Sequence, residues 1–247
     1  MTVERLAILS DVHGNLSALD AVLADAAGRG VTQVLNLGDM VGKGPRGSAV
    51  VDRCRAACSV NVRGNWEDFL PGVADDGLPE HVWWRDELRP DQRDWARTLP
   101  LSHDLLVSGR RLRLLHATAA SLHAKLFRRH TPHEAAAMFD PTDLTGPGPT
   151  PDLVGYGDTH DAYVETDAGR TLFNVGSVGN PLDEPTPVYA VVEGVLGSPE
   201  RAPLALQLVR VPYDVEAEIA VAHALGMPRA DAWERELRTA VWRGHAT

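Results

Sequence analysis

Leu6-Ala7-Ile8-Leu9-Ser10-Asp11-Val12-His13-Gly14-Asn15 is the stretch whose reading decides the fold. Four apolar residues run without a break and stop at a serine and an aspartate. A short, continuous apolar run closed by polar residues reads as a strand buried on both faces. Beyond the glycine, apolar residues recur at Leu16, Leu19, Val22, Leu23 and Ala26, which is the spacing of one helix face between Asn15 and Ala27. Gly28 and Gly30 suit the stop of that helix. The unit then repeats. Val34-Leu35-Asn36-Leu37 ends at Gly38-Asp39, a helix is expected from Ser48 to Cys58, and Val60-Asn61-Val62 ends at Gly64-Asn65. Strands alternating with helices predict a parallel sheet covered by helices.

The rest of the chain reads differently. Residues 66–99 read as helical and irregular, with Trp66, Trp83, Trp84 and Trp95. Leu101 to Val107 and Arg111 to His116 read as a hairpin around Ser108-Gly109-Arg110. Residues 118–150 read as a helix or loop that ends in a Pro/Gly-rich stretch from Pro141 to Pro151. Strands are expected at Asp152 to Tyr156, Ala162 to Thr166, Thr171 to Val175, Val188 to Val192 and Leu204 to Val211, with a C-terminal helix or two from Asp214. The expectation is a single α/β domain over residues 1–247 with two facing mixed sheets, a helical insertion at about 66–99 and a lip at about 118–150.

Composition narrows the function classes. The chain has 247 residues, 44% hydrophobic and 23% charged, enough to bury a sizeable core and too apolar for a disordered chain. No run of about 18 apolar residues exists, so a spanning helix is excluded. The start shows no signal-like leader, and a cytoplasmic location is expected. A net charge of −10 argues against broad binding to a nucleic-acid backbone. Cys54 and Cys58 allow two readings: a redox or metal pair, which as a zinc site needs two more ligands, or two small buried helix residues in a reducing compartment. The second is the simpler.

Five strand ends carry metal-ligand residue types, most beside a glycine: Asp11-Val12-His13-Gly14, Gly38-Asp39, Gly64-Asn65, Leu115-His116 and Gly157-Asp158-Thr159-His160. Ligands of open α/β sheets sit beyond the carboxyl ends of the strands. Convergence of these ends gathers Asp11, His13, Asp39, Asn65, His116, Asp158 and His160 around one point. Carboxylate oxygen, amide oxygen and imidazole nitrogen together suit Mn²⁺, Fe or Zn²⁺ better than Ca²⁺. Seven ligands are too many for one transition ion and suit two with a bridging carboxylate.

The order and spacing of these motifs resemble the calcineurin-like metallophosphoesterase superfamily, whose motifs run DxH, GD, GN(H), GH and GHxH, over residues 6–180. Leu9 to Asn15 and Asn174-Val175-Gly176-Ser177-Val178-Gly179 are similar to its small bacterial branch, which includes YfcE-type phosphodiesterases and diadenosine tetraphosphatase-like proteins. The resemblance implies a four-layer α/β/β/α sandwich and a dinuclear metal-dependent phosphoesterase acting on a small phosphate ester or nucleotide. By position it implies Asp11, His13 and His160 on the first ion, Asp39 bridging, and Asn65, His116 and residue 158 on the second. Asp39, Asn65 and His116 form the implied catalytic set. The implied reaction is in-line attack on phosphorus by a hydroxide shared between two divalent ions, Mn²⁺ first, with Fe, Zn²⁺ and Ni²⁺ as alternatives.

Two residues depart from the pattern. Asp158 stands where the family has histidine, so three carboxylates face two divalent ions; the harder donor set favours Mn²⁺ over Zn²⁺. Trp66 stands where many members carry a histidine that protonates the leaving oxygen, and an indole cannot do so. Monoester transition states profit most from such an acid, so a phosphodiester preference is expected. Another acid is available from His123, His130 or His133. With Lys125, Arg128 and Arg129 these form either a phosphate-binding lip or a solvated helix face. Lys43, in Gly42-Lys43-Gly44-Pro45, is a further phosphate contact, although the Walker A pattern is absent. The expected substrate contacts are Lys43, Trp66, His123, Arg128 and Arg129. Trp83 and Trp84 either wall a pocket or pack a core. Gly176 to Gly179 reads as a tight turn beside the site. The alternatives are a phosphomonoesterase or protein serine/threonine phosphatase, and a metal-binding scaffold without turnover.

Overall fold

The computed structural model describes residues 2–245. In chain order the elements are β1 (Glu4–Leu9), α1 (Leu16–Gly28), β2 (Gln33–Asn36), α2 (Gly47–Ala57), β3 (Val60–Asn61), α3 (Asn65–Phe69), α4 (Pro79–Glu87), α5 (Pro90–Thr98), β4 (Ser102–Val107) and β5 (Arg110–Leu115). They continue with α6 (Pro132–Ala137), β6 (Leu153–Tyr156), β7 (Tyr163–Asp167), β8 (Arg170–Asn174), β9 (Val188–Gly194), β10 (Ala205–Arg210), α7 (Val215–Ala224) and α8 (Ala230–Thr239). Two five-stranded mixed sheets result, ordered β10-β9-β1-β2-β3 and β4-β5-β6-β8-β7. In the first, β1 pairs parallel with β2 and antiparallel with β9, Leu9 lying opposite Asn36. In the second, β5, β6 and β8 run parallel, with β4 and β7 antiparallel at the edges.

The opening apolar run is buried on both faces, as its continuity requires. Leu6 and Ile8 pack with Leu112, Leu114, Leu153 and Phe173 of the second sheet, so the two sheets face each other. Ala7 and Leu9 turn the other way, against Leu19 and Val22 of α1 and Val50 and Val51 of α2. That alternation follows from the two-residue period of a strand. Each large side chain so buried contributes about 1.5–3 kcal/mol. Helix α1 is capped by Asn15, whose side chain accepts the Ala18 N–H at 3.0 Å, so Asp11 is not spent as a cap. Cys54 is buried and Cys58 half-buried, both free thiols at the end of α2.

The outer cover of the second sheet is thin. Residues 118–131 contain no helix, and α6 supplies one short segment, with Leu126, Met138 and Phe139 packed over Val154, Tyr156 and Leu172. The basic residues between 123 and 131 therefore do not form a helix face. Pro132 begins α6 at the first position a proline tolerates, and Thr131 caps it. At the C-terminal end, Asp214 caps α7, and α8 lays Trp233 and Leu237 against Ile219 and Ala222. No helix among the described residues is long and apolar enough to cross a membrane.

Candidate metal centre

The carboxyl ends of both sheets meet. Asp11 and His13 follow β1, Asp39 follows β2, and Asn65 follows β3; His116 follows β5, and Asp158 and His160 follow β6. Five of the seven turn back on themselves through left-handed backbone: Asp11 at φ 55°, His13 at 47°, Asp39 at 54°, Asp158 at 63° and His160 at 59°. Left-handed residues other than glycine cost on the order of 1 kcal/mol each and gather at functional sites. The glycine of Gly64-Asn65 is there for close approach: a Cβ on Gly64 would lie 2.2 Å from Asp39 Oδ1.

Two overlapping groups of donors form, Asp11-His13-His160 and Asp11-Asp39-His116. His160 Nε2 lies 3.2 Å from Asp11 Oδ1 and 3.2 Å from His13 Nε2. Asp39 faces both ways: Oδ2 is 3.6 Å from His13 Nε2, and Oδ1 is 3.4 Å from His116 Nε2. Asp158 Oδ1 is 3.7 Å from His116 Nε2 and accepts Asn65 Nδ2 at 2.9 Å. Gly64, not Asn65, holds the cap position of α3, so the Asn65 side chain is free to reach Asp158.

These donors fit a divalent cation. The Nδ1 atoms of His13, His116 and His160 face the carbonyls of Val41, Leu37 and Asn180. A carbonyl only accepts, so each Nδ1 carries the proton and each Nε2 turns a lone pair inward. Asp11 Oδ1, His116 Nε2 and Asp158 Oδ2 are buried without any hydrogen-bond partner. An orphaned buried polar atom costs about 1–3 kcal/mol, which an ion would recover. The electrostatics agree. Burial would raise the Asp11 carboxyl, but His160 and its neighbours hold it well below the usual carboxylate range. Asp39 is likewise lowered: burial raises it, and His116 together with His13 outweighs that. Burial depresses His116, yet Asp39, Asp11 and Asp158 push it up to about 10. Burial and then Lys43 push His13 down to about 4. The buried carboxylates thus make the site attract positive charge.

Residues behind the donors fix them. Glu67, fully buried in α3, accepts the N–H groups of Asp39 at 2.7 Å, Met40 at 2.8 Å and Gly64 at 2.9 Å. Burial and Asp39 push its carboxyl up to about 7 against the pull of those amides. Sequence reading missed Glu67; its one signal is an acidic residue in the first turn after Gly-Asn. Ser177 Oγ and Gly179 N both donate to the Asp11 carbonyl, at 2.7 and 2.9 Å, so the Gly176–Gly179 turn braces Asp11. Asn180, whose carbonyl orients His160, donates Nδ2 to the buried Glu236 of α8 at 3.3 Å. Glu236 in turn holds Arg243 through its N–H at 2.7 Å and its Nε at 2.9 Å.

A cavity of about 360 Å³ lies over Asp39, Asn65 and Asp158. Lys43, Lys125, Arg229 and Arg243 line it, with Trp66, His81, Trp84 and Trp242 as aromatic walls. Trp84 also belongs to the first core, so it packs and walls at once, whereas Trp83 packs against the core and faces a different cleft, beside Pro79 and Glu87. Trp66 sets its ring edge-on to His13 at 5.7 Å and to Trp84 at 5.5 Å. Lys43 Nζ lies 3.3 Å from His160 Nε2, and burial pushes its pKa down to about 8. Of the expected substrate contacts, Lys43 and Trp66 line the cavity and His123, Arg128 and Arg129 do not. His123 faces Asp68 at 3.0 Å, and Arg128 faces Asp161 at 3.8 Å in a separate surface depression shared with Arg129. His130 faces Glu165 at 3.1 Å beside another cleft, and His133 is exposed in α6. The imidazole that does reach the cavity is His81 of α4, for which the sequence carried no signal.

Residues 5–195 match the family model of the calcineurin-like phosphoesterase superfamily domain. The chain is 25% identical over 234 residues to the uncharacterized protein MJ0912 of Methanocaldococcus jannaschii, covering 87% of this chain and 90% of that protein. The fold superposes on a metallophosphoesterase from Sphaerobacter thermophilus with a TM-score of 0.74 and 25% identity, over 97% of this chain and 100% of that one. It superposes equally, at 0.74, on protein PH1004 of Pyrococcus horikoshii OT3, over 98% of this chain and 99% of that one; at 15% identity that likeness speaks to the fold alone. Donor geometry and family match lead to one conclusion: the chain belongs to the calcineurin-like phosphoesterase superfamily and is a metal-dependent hydrolase.

Proposed function

We propose that the protein is a dinuclear phosphoesterase acting on a small phosphate ester or nucleotide, with a preference for diesters. Asp39 carries the two-ion reading, because its two oxygens address two different imidazoles, His13 and His116. On this reading Asp11, His13 and His160 hold one ion, and Asn65, His116 and Asp158 hold the other. Three carboxylates make Mn²⁺ the better match. Two divalent ions so held would supply an activated water and would neutralise charge that builds on the phosphoryl oxygens. The chain does the positioning. Lys43 offers an ammonium at the cavity wall. Trp66 and Trp84 give an aromatic or apolar leaving group a surface to lie against. Trp66 supplies no transferable proton, which is the ground for the diester preference. We read α3 to α5 as an insertion that walls the cavity within a single domain, and the lip between 118 and 150 as reaching the site through Lys125. Two free thiols suit a cytoplasmic setting.

The test is turnover of a chromogenic phosphodiester and its monoester by chelator-stripped protein, with Mn²⁺ titrated back. Diester turnover that rises with Mn²⁺ and vanishes in Asp39→Asn is the expected result. A strong monoester preference would overturn the diester preference and turn attention to His81. Folded protein that shows no metal-dependent turnover of either ester, and binds one ion or none, would favour the scaffold reading.

A further inference from the structure

Asp158 stands apart from the other two carboxylates of the site. Its Oδ1 accepts two donors, Asn65 Nδ2 at 2.9 Å and Lys125 Nζ at 3.1 Å, while Oδ2 is buried with none. The carboxylate itself is nearly sealed, and the Lys125 side chain is 48% exposed. Lys125 comes from the irregular stretch before α6, lines the cavity, and meets Asp158 from the open side. The other cavity lysine, Lys43, sits at the far ligand, His160. Each end of the site therefore has its own ammonium, and only the one on Asp158 engages a carboxylate at hydrogen-bond distance.

An ammonium and a divalent ion cannot both take full advantage of one carboxylate. We propose that Lys125 competes with the second ion for Asp158 and so sets how tightly that position is filled; this rests on the two-ion reading. Without the lysine, a third carboxylate would cut the net charge of the ion pair and its three carboxylates to +1 and leave the ions weaker toward a phosphoryl oxygen. With it, the cluster regains one positive charge. An ion pair with one half-exposed partner is easily exchanged, so an arriving ion displaces the ammonium at little cost. The flexible stem then carries the charge into the cavity, where a phosphate oxygen takes the place of the carboxylate. Lys125 is thus a positioning residue for the second ion before substrate arrives, and a phosphate contact afterwards.

The experiment is calorimetric titration of chelator-stripped protein with Mn²⁺ alone, without substrate. Wild type should bind two ions, one of them weakly. Lys125→Met should tighten the weaker ion by about two- to fivefold, since no ammonium then has to be displaced from Asp158. Lys125→Arg, which keeps the cation, should behave as wild type. In an Asp158→Asn background, Lys125→Met should change nothing, because the shared partner is gone. Thermal unfolding of each metal-free variant checks that it is folded. An unchanged or weaker ion in Lys125→Met overturns the inference, as does the same tightening in the Asp158→Asn background. Fewer than two ions in wild type overturns the two-ion reading and the inference with it; two ions that ignore Lys125 overturn the inference alone.

Discussion

Gly42→Ala should destabilise the protein by about 2–5 kcal/mol, through two separable costs. Gly42 has φ +76°, and an alanine held there loses about 1–2 kcal/mol. Its Cβ would also fall 2.0 Å from Trp66 Cε3 and 2.2 Å from Cζ3, well inside any tolerated contact. The indole has little freedom to retreat. Its backbone N–H donates to Asp39 Oδ1 at 2.9 Å, and its ring is packed against Phe69 at 5.0 Å and His81 at 5.8 Å. Overpacking of that kind costs about 1–3 kcal/mol. Domains are commonly stable by about 5–15 kcal/mol, so the variant should still fold and its urea midpoint should drop at constant slope. Gly72→Ala is the control: ordinary φ, nothing within 4 Å of the new Cβ, and an expected change within about 0.5 kcal/mol. Adding Trp66→Ala to Gly42→Ala removes the overlap and should reveal a coupling of about 1–3 kcal/mol. A single variant within about 0.5 kcal/mol of wild type, or the absence of coupling, would refute the argument that the indole is pinned against this glycine.

Glu67→Ala strands three buried backbone N–H groups; urea unfolding should show a loss of at least about 3 kcal/mol, with weaker Mn²⁺ binding by calorimetry. A loss under about 1 kcal/mol would mean water replaces the carboxylate. Asn15→Ala removes the α1 cap together with bonds to the Gly179 carbonyl at 3.0 Å and the Tyr213 hydroxyl at 2.9 Å, and should cost about 2–3 kcal/mol in the same assay. Glu87, which accepts Gly47 N at 2.8 Å at the start of α2, is pushed by burial from 4.5 up to about 7. The folded state then binds its proton more tightly than the unfolded one, so stability is present below pH 4.5 and falls as pH rises to 7, by up to about 3 kcal/mol. Urea midpoints at pH 5 and pH 8 should show that fall reduced in Glu87→Gln; an identical fall in both proteins would count against the assignment.

Strand ends were legible because each donor sits beside the apolar run that places it. Leu6 to Leu9 could only be a buried strand, and Asp11 and His13 follow at once, so the chain's local order already carries most of the ligand set. Asn65 was legible for the same reason, and its release from capping duty is local as well. Glu67 was not, because its partners Asp39 and Met40 lie 28 and 27 residues away. A run of charges has no direction: Lys125 turns to the site while His123 and Arg128, two and three residues away, turn to Asp68 and Asp161. Nor does a sequence show that a tail returns. Trp242 and Arg243 reach the cavity because α8 packs as it does and Glu236 ties Arg243 down.

That tail divides the labour of the enzyme along the chain. Every candidate ligand lies within residues 5–195, the family region, whereas Arg229, Trp242 and Arg243 of the cavity wall lie beyond it. The candidate donors and one part of the wall, Lys43, Trp66, His81, Trp84 and Lys125, share the family region, and only the rest of the wall comes from the tail. Change in the last helix and tail can therefore reshape that part of the wall while all seven candidate donors stay untouched. The link through Glu236, Asn180 and His160 limits that freedom, since the same helix that can be re-lettered also steadies one of the candidate donors.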